Sequence, residues 1–99
     1  MSYGYIGSMK TQPGRRDEVV AILINGLDRL KEMGCTEYTV GAALTDEVTI
    51  WTSEVWDDKT HHDATLQRPE IKEAIALAMP MLTGEFTYVE TRVQGRIDR

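Results

Sequence analysis

Apolar positions along the chain switch between a strand and a helical period, and the switches and turn signals together mark out six elements. Tyr3, Tyr5 and Met9 alternate with small or polar residues, as a strand does, up to the turn signal Pro13-Gly14. From Arg16 the period becomes helical. Val19, Val20, Leu23, Ile24, Leu27 and Leu30 form one stripe, while Arg16, Glu18, Asp28, Arg29, Lys31 and Glu32 are mostly left to water. Asp17 and Glu18 suit the positive end of that helix, Lys31 suits its negative end, and Gly34 predicts a left-handed stop. Tyr38, Val40, Ala42 and Leu44 alternate in a second strand over residues 37–44. Thr45-Asp46-Glu47 predicts a tight connection to a third strand over residues 48–56, an antiparallel hairpin.

The third strand is apolar on both faces. Val48, Ile50, Thr52, Glu54 and Trp56 share one side, and Trp51 and Val55 occupy the other. A sheet covered on one side only carries a polar second face, so both sides here call for cover. The last strand, over residues 86–93, agrees: Phe86 and Tyr88 point one way, Val89 and Val93 the other. Two helices can cover one face. A second copy of the chain, sheet against sheet, is the expected cover for the other, which predicts a homodimer.

Between strands three and four the helical period returns in two pieces. Asp57 or Asp58 can cap a short helix reaching Leu66, and Pro69 suits the first turn of the next. Ile71, Ile75, Ala78, Met79 and Leu82 are its apolar stripe. Pro80 lacks an amide hydrogen and ends or tightens that helix, and Gly84 redirects the chain into the last strand. The order is βαββαβ, an α+β, ferredoxin-like arrangement with an antiparallel sheet. At 99 residues, the expectation is one domain over residues 1–99.

Composition narrows the function classes. A net charge of −5 argues against nucleic acid and anionic membrane as partners, since phosphate binding requires surplus Lys and Arg. Cys35 is alone, so no internal disulfide forms, and no stretch resembles a secretory leader or a membrane span; a cytoplasmic location is expected. Tyr3-Gly4-Tyr5-Ile6-Gly7 lacks GxGxxG and a Walker lysine, and no GxSxG is present.

Chemistry concentrates after the third strand. His61 and His62 are consecutive, so on a helix they diverge by about 100° and cannot chelate one metal together. The pairs Asp57–His61 and Asp58–His62 set a carboxylate one turn from each imidazole, an arrangement that orients histidines more often than it binds zinc. No metal site is expected. His62 suits a general base, although a solvated histidine pair accounts for the same spacing. Trp51, Trp56, Phe86, Tyr88, Tyr3 and Tyr5 can wall an apolar slot or simply fill a core. Glu54, on the same face as Ile50, needs a partner if buried, and Arg92 is one candidate.

The runs Ser53-Glu54-Val55-Trp56-Asp57-Asp58-Lys59, His62-Asp63-Ala64-Thr65-Leu66 and Pro69-Glu70-Ile71 resemble the antibiotic biosynthesis monooxygenase (ABM) family. The segments from Ala76 to Gly84 and Val89-Glu90-Thr91 continue the likeness. The resemblance implies a dimeric α/β barrel with a pocket between sheet and helices in each subunit. It implies oxygenation of a quinol-like or polycyclic phenolic molecule with O2, without flavin or metal, the substrate anion itself reducing oxygen. By position, Glu54 and Trp56 match the family's ExW pair and His62 the histidine of an AHDASL-like variant. Glu54 or Asp58 would orient it, with Trp51, Trp56, Phe86, Tyr88 and Thr65 around the substrate. Many members carry a histidine where this chain has Thr65. The family also holds isomerases, haem-degrading enzymes and proteins without a known reaction. An isomerase or tautomerase, or a non-catalytic ligand-binding dimer, are therefore the alternatives; the Asn of the haem-degrading set has no match, because Asn25 lies in the first helix.

Overall fold

The computed structural model describes residues 2–97. Strand β1 (Tyr3–Thr11) is followed by helices α1 (Arg16–Ile24) and α2 (Leu27–Glu32). Strands β2 (Cys35–Ala42) and β3 (Thr49–Trp56) come next, then helices α3 (Lys59–Thr65) and α4 (Pro69–Ala78). A 3-10 turn (Met79–Met81) leads into β4 (Leu82–Arg92). The four strands form one sheet in the order β2-β3-β1-β4, and every neighbouring pair is antiparallel. This is the ferredoxin-like arrangement that the alternation of periods predicts. Among the described residues no helix is long and apolar enough to cross a membrane.

The single first helix expected from the stripe is two. Asn25 turns extended (ψ 119) and Gly26 takes φ 92, the left-handed region open to glycine, so the Asn-Gly pair breaks the helix in mid-stripe. The break leaves Ile24 facing out, while Val19 and Leu30 stay buried on either side of it. Pro80 behaves as its missing amide demands, tightening the end of α4 into the 3-10 turn. The hairpin link is longer than expected, running over residues 43–48, and Leu44 is fully exposed there rather than on a strand. Asp46 organises the link by accepting from the amides of Val48 and Thr49 at 2.9 and 2.7 Å.

Residues directly opposite each other across strands share a face. The helix-covered face therefore carries four rows: Tyr3–Trp56–Cys35, Tyr5–Glu54–Tyr38, Gly7–Thr52–Val40 and Met9–Ile50–Ala42. The core divides in two. Val19, Ile50, Ala78 and Met81 pack together at one end, and Leu30, Cys35 and Trp56 at the other. The opposite face is open. It carries Ile6, Trp51 and Val89, all exposed, with Trp51 48% accessible. Strand β4 lies at the sheet's edge, and it is exposed along nearly all its length.

Candidate functional site

Helix α3 starts where Asp58 caps it, its Oδ1 accepting from the His61 amide at 2.8 Å. That registration turns His62 inward and His61 outward. The His62 side chain, 9% exposed, lies over the first two rows of the sheet. Its ring centroid is 5.1 Å from those of Tyr3 and Tyr5, and 5.5 Å from that of Trp56, which meets it nearly edge-on at 82°. Nδ1 lies 2.9 Å from Asp63 Oδ1. The Asp63 carboxyl is held below its ordinary range, chiefly by this bond, so it accepts and Nδ1 carries the proton. The other ring nitrogen, Nε2, lies 3.9 Å from Glu54 Oε1.

Glu54 is 9% exposed, and its Oε1 accepts from Trp56 Nε1 at 2.9 Å. Burial pushes its carboxyl pKa up, against the lowering effects of the Trp56 bond and of His62. The phenols of Tyr5 and Tyr38 flank it across the two neighbouring strands. Burial, and then Glu54's charge, push both phenol pKa values up, so both remain protonated donors. Gly7 makes room for this arrangement. A Cβ there would lie 3.2 Å from Tyr5 Cε1, and without one the Tyr5 ring reaches over the strand to stack on Tyr88 at 5.6 Å and 5°.

A cavity of about 610 Å³ runs along this face beneath the helices. Trp56, Glu54, Tyr5 and His62 line it at one end of the sheet, and Met9 and Phe86 at the other; Leu23, Ile71 and Ala78 contribute from the helices. The surface is largely apolar with a few convergent polar groups, the make-up of a small-molecule site.

The structure brings His62, Glu54, Trp56, Thr65 and Phe86 to this cavity, with Tyr88 at its edge through Tyr5. Thr65 turns its hydroxyl to the His61 carbonyl at 3.0 Å. Two expected residues lie elsewhere. Trp51 alternates onto the open face and cannot wall the cavity. Asp58 caps α3 and faces His61, because the helix turns its fourth residue away from its cap. The carboxylate on His62 Nδ1 is the adjacent Asp63. Arg92 does not partner Glu54; it sits opposite Tyr3 on the edge strand, and Trp56 supplies the donor. Asp63 and Tyr38 were not picked out from sequence. The hairpin's symmetry about Asp46 pairs 38 with 54, a signal that would have found Tyr38.

On the outer side of α3, Asp57, Asp58 and His61 bring possible ligand atoms within 4.8 Å of one another, all exposed. His61 Nδ1 is already 2.6 Å from Asp57 Oδ1, which raises the pKa of the imidazole and lowers that of the carboxyl. Cys35 is buried, its thiol pKa pushed up to about 11 by desolvation, which removes it as a nucleophile near neutrality.

A four-stranded antiparallel sheet with paired helices over one face, and a polar-ended apolar cavity between them, defines a ferredoxin-like small-molecule-binding domain. In sequence, residues 2–77 match the antibiotic biosynthesis monooxygenase family, and the chain belongs to it. The structure is similar to that of a candidate antibiotic biosynthesis monooxygenase from Chloroflexus aurantiacus J-10-fl, at 36% identity and a TM-score of 0.82 with 97% of each chain covered. It is also similar to a candidate member from Caulobacter crescentus CB15, at 19% identity and a TM-score of 0.85 over 95% of this chain and 91% of that one. A conserved protein from Methanosarcina mazei Go1 shares the fold at 22% identity and a TM-score of 0.81, covering 93% and 92%. None of the curated proteins matches the chain.

Proposed function

We propose that this protein is a cofactor-independent monooxygenase for a quinol-like or polycyclic phenolic molecule, with His62 as the base. The observation that carries the proposal is the buried His62 imidazole, bonded at Nδ1 to Asp63 and directing Nε2 toward Glu54 and the apolar cavity. A phenol or an acidified ring CH2 bound there would lose its proton to Nε2. The electron-rich anion would pass an electron to O2, and recombination would give a peroxide on the ring carbon. Loss of water would leave a carbonyl, so that one oxygen atom ends in the quinone and the other in water. For an anthrone the balance is substrate plus O2 giving quinone plus H2O, all four electrons coming from the CH2 group. Asp63 would orient the imidazole through Nδ1, Glu54 would stabilise the ring once Nε2 has taken the proton, and the Tyr5 and Tyr38 phenols would donate to the charge that develops on oxygen.

Oxygen uptake tests this with metal-stripped protein and a panel of hydroquinones and anthrones. His62→Gln, checked for native folding by circular dichroism, is expected to slow turnover about 10²-fold or more. Turnover unchanged by that substitution would remove His62 as the base. Conversion of the substrate without oxygen would replace the oxygenase with an isomerase on the same base.

The working unit we propose is a homodimer in which a second copy covers the open sheet face. Ile6, Trp51 and Val89 lie exposed on that face, which supports the reading. Sedimentation showing only a monomer at micromolar concentration would overturn it.

A further inference from the structure

We propose that Lys59 is a positioning residue for His62, the centre of a closed circuit of contacts that fixes which imidazole nitrogen faces the cavity. The circuit can be followed atom by atom. Lys59 Nζ lies 2.6 Å from Glu90 Oε2 on the edge strand and 3.6 Å from Asp63 Oδ2 on its own helix. Asp63's other oxygen, Oδ1, holds His62 Nδ1 at 2.9 Å. Tyr3 donates to the same Glu90 oxygen at 2.7 Å, and its ring lies 5.1 Å from that of His62, which closes the loop. The Lys59 ammonium also lies 5.4 Å from the centre of the Tyr3 ring. Three elements meet in this circuit: β1, α3 and β4.

Exposed ion pairs contribute little to stability, and Lys59, Asp63 and Glu90 are all exposed. Stability is therefore a poor account of why one ammonium is shared by two carboxylates on different elements. Orientation is a better one. Asp63 is solvated, so its rotamer is free unless something holds it, and Lys59 holds the oxygen that the imidazole does not use. A neutral imidazole in water favours the proton on Nε2, which would present an N–H, not a base, to the cavity. The circuit opposes that preference by supplying an acceptor at Nδ1. The other groups around the ring do not supply one: Glu54 faces Nε2, and Tyr5 and Trp56 pack as rings.

The kinetic part of this inference rests on the oxygenase reading; the tautomer part does not. The experiment is two-bond 1H–15N correlation of the full chain in mildly alkaline buffer, with His61→Gln assigning the only two histidines. Wild type is expected to show His62 as a single Nδ1–H form. Lys59→Met should give mixed tautomers with the fold intact, and Lys59→Arg should restore the single form. A Lys59→Met spectrum with His62 unchanged, or a wild-type His62 that is not Nδ1–H, overturns the assignment. With a substrate that wild type turns over, Lys59→Met should lower kcat about tenfold and leave KM within about twofold. If wild type oxidises no quinol, the oxygenase reading fails while the spectrum still decides the role of Lys59.

Discussion

Trp56 donates its indole N–H to the carboxylate of Glu54, two residues back on the same face of the same strand. The pair explains why an ExW run at the end of a strand makes a site. Period-2 alternation places both side chains under the helices, and the indole satisfies an acid that burial would otherwise leave unpartnered. The acid's second oxygen and the imidazole above it are left for a ligand.

Glu54 should govern part of the pH dependence of stability. Burial raises its pKa in the fold, so through the window above the ordinary glutamate value the folded chain holds a proton that the unfolded chain has released. Its contribution is thus most favourable below that ordinary value and is lost as pH rises through the folded one. Glu54→Gln keeps an acceptor for Trp56 and removes the ionisation. Thermal melts from about pH 4 to about pH 8 should show the variant more stable by a few degrees near neutrality, the two curves converging in acid.

Asp58 separates capping from chemistry. Asp58→Ala should cost about 1 kcal/mol in urea unfolding through loss of the cap, with turnover per folded molecule unchanged. A collapse of kcat at unaltered stability would return Asp58 to the catalytic group.

Gly7 is where the site depends on a missing side chain. Gly7→Ala sets a methyl 3.2 Å from both Tyr5 Cε1 and the Thr87 carbonyl oxygen. The ring must move and the Tyr88 stack with it, at a cost of about 1–3 kcal/mol. Denaturant unfolding would show the loss, and a crystal structure with an unmoved Tyr5 would refute the account.

Trp51 tests the open face without touching the cavity. Trp51→Glu should weaken self-association by about tenfold or more, as removal of an aromatic anchor does, while ligand binding in the cavity is retained. Sedimentation against concentration, with parallel ligand titration, makes the comparison.

Much of the fold is legible in the chain because periodicity reports it directly. The alternation in Thr49–Trp56 assigns every residue of β3 to its observed face, and Pro80 and Gly34 end their helices as their backbones require. The break at Gly26 escapes a reading by stripe, since Leu27 and Leu30 continue the apolar spacing across it. The site is half legible. Local motif marks Glu54, Trp56 and His62, but the groups that surround the imidazole are distant in sequence: Tyr5 is delivered by register, and Glu90 by an edge strand. Trp51 was expected in the wall because an aromatic near a motif attracts that role; its odd spacing from Glu54 already assigns it to the other side.

The two separate core clusters give the empty space a thermodynamic meaning. Each is small, one gathered on Val19 and Ile50 and the other on Leu30 and Trp56, and the cavity is walled by members or neighbours of both. A molecule bound in the cavity would thus touch both clusters and join two half-cores into one. Melting should sharpen as well as shift when the ligand is present, so that thermal unfolding can find the substrate before any reaction is seen.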